Sequence, residues 1–309
     1  MKISAFVILI LSSFGTVSVW IFAHQASASG GYQRGSSVKF TNIPLCVSPK
    51  RGEANTLKPK YFKVRLSPNL SSFCQSPKTI HVFVALCDNE HQGIVKVPAQ
   101  LGNGKDPANN LYWGALYGVK TFFKNDADWQ LVKTFSNPEK NILERCVFKH
   151  KTTRTYLVAD AYDGEQIKPC VIDFLEASAG GNQKEIIAGS DTVMAGGDAE
   201  LICYVGHDGL MDFSLEEYPQ KKSSAEKNVI ILACVAKDFF GDAIRTGGAN
   251  PLLWTTGLMA PEAYTLEAAI AGWHNNETGE QIRTRAAEAY HQYQKCGVKG
   301  ARNLLVTGF

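Results

Sequence analysis

The chain has 309 residues, a formal charge of +3, and 45% hydrophobic against 20% charged residues. That length and apolar share support one large α/β-sized domain with an appendage, and the near balance of charge, with no clustered basic run, argues against a nucleic-acid partner. The eight cysteines include no CxxC pair, so a zinc ribbon or a thioredoxin-type redox site is unsupported.

Taken in chain order, Met1-Lys2 leads into an apolar stretch over residues 5–23 and then Ala26-Ser27-Ala28. A charged start, an apolar stretch and a small-x-small site predict a signal peptide over 1–28, cleaved after Ala28. The alternative is an uncleaved anchor, since the stretch approaches a membrane span in length. Ser12, Ser13, Gly15, Thr16 and Ser18 dilute it and favour cleavage. The expectation is an exported protein, periplasmic or secreted, with no stable membrane span after leader removal. N-terminal sequencing of the mature protein should then begin at or near Ser29, whereas an intact leader in the membrane fraction would identify an anchor. Residues 29–78 are interrupted by Pro44, Pro49, Pro59, Pro68 and Pro77 and predict an irregular appendage, with Cys46 and Cys74 expected to pair.

From 79 to 309 apolar strands alternate with amphipathic helices. Residues 80–86 read as a strand, and a long polar loop leads to Asn110, a cap for a helix carrying Leu111, Ala115, Val119 and Phe122 on one face. Extended segments follow over 129–135, 143–148 and 156–159. Asp163 to Gln166 open a helix with Ile167, Val171 and Phe174 inward, and a Gly-rich stretch follows at 179–182. Two short apolar runs, 199–206 and 228–233, then end in His207-Asp208-Gly209 and in Cys234. A short helix over 239–245 and a strand at 252–254 come next. A helix begins at Pro261 with Ala263, Leu266, Ile270 and Trp273 inward, and a last helix carries Ile282, Ala286, Ala289, Tyr290 and Tyr293 before a closing strand at 304–306. This alternation predicts a three-layer, doubly wound, mostly parallel sheet.

Short apolar runs of this kind are strands buried on both faces, and side chains just past their carboxyl ends face the crevice where open α/β sheets bind ligands. If the two runs are neighbours, an imidazole and a thiol meet there, as a Cys/His nucleophilic site requires. Singly, each residue has an ordinary structural account: Cys packs well in cores, and a His beside Gly is often a turn residue. Their pairing carries the catalytic reading. Cys87-x3-His91 lacks a partner pair, so no metal is expected, and no cofactor motif is present. Trp254 is read either as substrate-facing or as a core lid, and the cluster from Asn109 to Trp113 either packs the first helix or contributes to binding.

A strand ending in His with Gly nearby, followed by a strand ending in Ala233-Cys234, resembles the caspase-like (clan CD) cysteine peptidases. The stretches Ile231-Leu232-Ala233-Cys234, Gly247-Gly248-Ala249, Leu253-Trp254-Thr255-Thr256 and Pro261-Glu262-Ala263 are most similar in pattern to bacterial CHAT-type domains. The resemblance spans about Ile80 to Trp273. It implies a peptide or protein substrate, a Cys234 nucleophile, His207 as acid–base partner, and an oxyanion held by the Cys234 N–H and a glycine N–H. In that family glycine follows the histidine directly, whereas here Asp208 intervenes, leaving Gly209 or Asp208 itself for the oxyanion. Asp208 or Asp212 would orient His207, Asp212 being the more easily explained as a solvated loop carboxylate. The loop over 88–93 lacks the Arg with which caspases bind acidic residues, so cleavage after Asp is not implied. Two alternatives stay open: a non-catalytic ligand- or protein-binding member of the same fold, and a cell-wall amidase using the same chemistry.

Overall fold

The computed structural model describes residues 5–11, 17–23 and 77–309. In the first of two units, β1 (Ala5–Leu11) and β2 (Val17–Ala23) pair antiparallel from Ala5↔Ala23 to Leu11↔Val17. The expected cleavage site after Ala28, the appendage up to residue 76, and Cys46 and Cys74 lie outside the described residues.

The second unit, residues 77–309, contains in order β3 (Lys78–Ala85), α1 (Val119–Asn125), β4 (Trp129–Glu139), β5 (Ile142–His150), β6 (Thr155–Tyr162), α2 (Ile167–Ser178), β7 (Lys184–Ala188), β8 (Asp191–Ala195), β9 (Leu201–Val205), β10 (Asn228–Leu232), α3 (Ala236–Gly247), β11 (Asn250–Thr255), α4 (Ala263–His274), α5 (Gly279–Gln294), α6 (Val298–Leu304) and β12 (Leu305–Val306). Eight strands form one sheet in the order β12-β11-β10-β9-β3-β6-β5-β4. The five from β11 to β6 are parallel, and antiparallel β12 and the β5–β4 hairpin flank them. The unit is thus α/β with a mostly parallel sheet flanked by helices.

Continuous apolar sequence is what such central strands need, because each of their faces meets a helix. Ile80, Val82, Leu201, Cys203, Ile230 and Leu232 point to the side of α4 and α5. Phe83, Ile202, Tyr204, Val229 and Ile231 point to the side of α2 and α3. From β3 the chain goes to β6 on one side and later to β9 on the other, so the order reverses at β3. A crevice is expected at the carboxyl ends of β3 and β9 for that reason.

Several elements differ from the sequence reading. The first helix begins at Val119, not behind Asn110, because the buried Asn110 amide is committed to loop backbone. Its Oδ1 accepts from Cys87 N–H and Tyr112 N–H, and its Nδ2 donates to the Cys87 and Asn103 carbonyls. The Gly-rich region is followed by an unforeseen hairpin, β7–β8, whose inward Ile186, Ala188, Val193 and Ala195 cover Val147, Tyr156 and Val158. Helix α3 starts three residues earlier than expected, directly after the Cys234 turn. Helix α5 opens on a reciprocal Thr278–Gln281 capping box, a legible sequence signal that the periodicity reading passed over.

One polar network crosses the sheet. Asp160 is fully buried and receives two hydrogen bonds from Arg145, Nε at 2.5 Å and Nη2 at 2.7 Å. His81, also fully buried, sits 3.1 Å from it through Nε2, while Gly196 N–H donates to its Nδ1 at 2.9 Å. An acceptor role at Nδ1 and an anion at Nε2 fix one neutral tautomer. Glu139 completes the Arg145 shell at 2.7 Å and is itself bridged by Lys184.

Among the described residues no helix is long and apolar enough to cross a membrane. No group of three or more His, Cys, Asp or Glu side chains among them could hold a metal ion. His91 instead pairs through Nδ1 with Asp88 at 2.9 Å.

Candidate active site

A cleft of about 470 Å³ opens at the carboxyl edge of the sheet, walled by residues that follow β3, β9, β10 and β11. His207 and Cys234 both line it. Their strands are adjacent, with Leu232 opposite Val205 in parallel register, so the next residues of each chain leave the sheet side by side. Alternation along β10 sets the direction: Ile230 and Leu232 face the α4–α5 side, and Cys234 continues that parity.

Cys234 is half-buried. Its Sγ accepts a hydrogen bond from Met259 N–H at 3.4 Å and lies 3.7 Å from the Met259 carbonyl. The chain then turns sharply through Val235, which has φ 50° and ψ 30°. A β-branched residue in the left-handed region is strained, and the strain falls between a strand end and a helix start, a geometry that lifts a side chain to the edge of an α/β sheet. Thr255, fully buried at the end of β11, holds the turn together. Its hydroxyl donates to the Ala233 carbonyl and accepts from Ala236 N–H at 3.1 Å, while Val235 N–H donates to the Gly257 carbonyl at 2.9 Å. Thr255→Val keeps the shape and removes both bonds. It is expected to cost about 1–3 kcal/mol, because the turn's buried backbone groups lose their partner, and a lowered urea midpoint at unchanged slope would record it.

His207 is 6% exposed. The Tyr204 hydroxyl donates to its backbone carbonyl at 2.7 Å, and its Nε2 lies 2.7 Å from Asp212 Oδ2. The same Oδ2 accepts from Gly93 N–H at 3.0 Å. A carboxylate only accepts, so Nε2 carries the hydrogen and Nδ1 is left as the basic nitrogen of neutral His207. The carboxylate that meets the His207 ring is therefore Asp212 and not Asp208, whereas the sequence weighting made Asp212 the more easily explained as a solvated loop carboxylate. Asp208 is fully buried, its Oδ1 caps the following turn by accepting from Leu210 N–H at 3.0 Å, and its Oδ2 has no partner. Burial pushes its carboxyl up to about 7, with the neighbouring Asp212 charge adding to the effect.

Gly209 opens the short turn after Asp208 and is buried against Phe213 and Ile167. A Cβ there would stand 2.8 Å from the Phe213 ring, which accounts for the glycine by space alone. The glycines that line the cleft are Gly93 and Gly206, and Gly206 has φ 150° with its Cα packed against Ala85. Trp254, read from sequence as substrate-facing or core, is core. It is fully buried on the α2–α3 side, its Nε1 donates to the Gly308 carbonyl at 3.0 Å, and its ring meets Phe309. From the Asn109–Trp113 cluster, Leu111 and Tyr112 reach the cleft, and Trp113 is buried.

The six described cysteines are all free thiols. Burial pushes Cys87 up to about 11 and Cys146 up to about 12, and it also holds Cys170 and Cys203 well above the ordinary thiol range. Cys234 and Cys296 are the two described thiols open to solvent, and of these Cys234 shares its cleft with His207. Sequence reasoning missed Thr255, Gly93 and Met259, whose roles come from register and loop contacts. Comparison with known protein families, with curated proteins and with solved structures gives no match for this chain.

Proposed function

We propose that the protein is a cysteine-dependent hydrolase of peptide bonds, built on a caspase-like arrangement and working outside the cytoplasm once its leader is removed. Cys234 is the nucleophile and His207 its acid–base partner. The observation that carries this reading is the presence of both side chains on one cleft at the switch point of the sheet. His207 Nδ1 takes the thiol proton, and Sγ attacks the peptide carbonyl carbon. As the C–N bond breaks, His207 returns the proton to the leaving amine, leaving a thioester. Water, deprotonated by the same imidazole, then releases the acid and restores the thiol. Helix α3 begins two residues after Cys234 with its positive end toward that turn, and Met259 N–H points at the sulfur. Both set partial positive charge beside the sulfur that attacks. The Cys234 N–H is the first candidate for the oxyanion; the Gly206 N–H is already given to the Leu232 carbonyl at 3.2 Å, so the second donor is assigned to Gly209. Each donor of this kind is worth on the order of 3 kcal/mol in comparable sites.

Thiol alkylation tests the reading. In a Cys296→Ser background, iodoacetamide at neutral pH should modify Cys234 fast and the four buried cysteines slowly, as peptide mapping would show. A Cys234 as slow as Cys203 would leave the non-catalytic binding reading in its place. Asp212 acts by positioning His207. Asp212→Asn is expected to slow acylation by at least about tenfold, and by up to about 10⁴-fold if the wrong tautomer is favoured. Gly93→Ala should act in the same direction, because a Cβ there would stand 2.5 Å from Asp212 Oδ1. In both variants the loss should fall on the maximal rate, with the melting temperature and half-saturation concentration little changed.

A further inference from the structure

Outside the residues proposed to do chemistry, the cleft is apolar in a way that a solvated surface does not require. Val95 at 91% and Leu258 at 75% are the two most exposed large apolar side chains among the described residues, and Met211 is 42% exposed. All three stand on the rim of this one cleft, on loops that follow three different strands. Deeper in, Ile94, Leu111 and Met259 continue the same surface toward Cys234. Scattered exposed apolar residues are ordinary, but a contiguous group around a concave site marks a place where another molecule sheds water.

The charges point the same way. Among the described residues lining the cleft none is Lys or Arg, and the one carboxylate is Glu262. Its Oε2 already accepts from the Tyr264 hydroxyl at 2.7 Å and from Gln294 Nε2 at 3.1 Å. Burial holds this carboxyl above its ordinary range, which weakens it further as a counter-ion. An acidic substrate side chain would find no cation here, and a basic one would find a carboxylate with other partners.

We infer that this cleft selects peptides by a large, uncharged apolar side chain, of the Leu or Phe kind, on the residue whose carbonyl Cys234 attacks. The inference rests on the hydrolase reading above and specifies its substrate class.

The test uses three peptidyl chloromethyl ketones differing only in the residue that bears the electrophile, Leu, Asp or Lys, with iodoacetamide as a reference that carries no side chain. Each forms a thioether with Cys234 and releases halide, and each rate is read by mass spectrometry of the intact protein, with Cys234→Ala as the control. The expected result is labelling by the Leu reagent at least about tenfold faster than by the other two, in line with the value of one well-buried apolar side chain. In the double variant Val95→Asp, Leu258→Asp, the rate of the Leu reagent relative to iodoacetamide should fall by about tenfold. Both positions are exposed, so the fold should tolerate the change. A fastest Lys reagent would assign selection to Glu262 and overturn the inference, as would a fastest Asp reagent or equal rates for all three. Failure of every reagent, iodoacetamide included, to label Cys234 would overturn the thiolate reading itself and the inference with it.

Discussion

Cys234→Ala is expected to abolish covalent labelling and turnover while changing folding stability by no more than about 1 kcal/mol. The side chain is half-buried and its sulfur makes weak contacts with the N–H and the carbonyl of Met259, so the loss of packing is small. Without the sulfur no acyl-enzyme forms, and the remaining groups have nothing to activate. His207→Gln is the informative companion. It keeps volume and retains a donor toward Asp212, but it cannot take or return a proton at the sulfur. Acylation should slow by about 10²- to 10⁴-fold, the usual worth of a positioned acid–base group. Turnover that survived Cys234→Ala, or a His207→Gln variant with wild-type kinetics, would leave the cleft a binding site.

The largest effect on stability is expected far from the cleft, at Asp160→Ala. That substitution leaves the Arg145 guanidinium, 5% exposed, without the carboxylate that receives its Nε and Nη2. Removing one partner of such a buried pair costs about 3–5 kcal/mol, because the surviving charge is neither solvated nor neutralised. Glu139, 41% exposed at its side chain, compensates only in part. The pH dependence follows from the same groups. Burial opposes ionisation of Asp160, but the hydrogen bonds from Arg145 and His81 outweigh it and hold the carboxyl well below the usual range. A depressed carboxylate contributes stability above its unfolded value of about 3.9 and loses it as pH falls below that. Burial also lowers His81, against the pull of Asp160. The unfolded chain therefore takes up a proton there below about pH 6.5 that the folded chain resists, and stability declines in that window too. Urea titrations of wild type and Asp160→Ala from pH 7 to pH 3 should show a gap of several kcal/mol that narrows below about pH 4. A constant gap would mean that Asp160 does not carry the acid sensitivity.

The parallel centre of the fold was legible because β3, β6, β9 and β10 are buried along their length, and a strand covered on both faces must be apolar throughout. The juxtaposition of His207 and Cys234 followed from the same fact, since each ends such a run. Elements with one covered face were harder to read. In β7 and β8 only every second residue is buried, and those residues meet a local patch of β5 and β6 that no periodicity reveals. The first helix was misplaced because Leu111 and Ala115 have helical spacing, yet the Asn110 side chain ties the backbone there into turns. Asp212 lies five residues beyond His207, and nothing in the sequence shows that the chain curls back to bring it to the ring. Trp254 continues an apolar run toward the functional edge, but its parity turns it to the opposite face.

The left-handed backbone at Val235 sets stability and chemistry in competition for one position. Glycine or asparagine would adopt φ near 50° more comfortably, so selection for heat resistance alone should discard the valine. If activity were selected instead, only a residue that keeps the Cys234 sulfur at its present height above the sheet would persist. Position 235 is therefore where directed evolution under the two pressures should diverge first, in the way expected when local strain is tied to a working site.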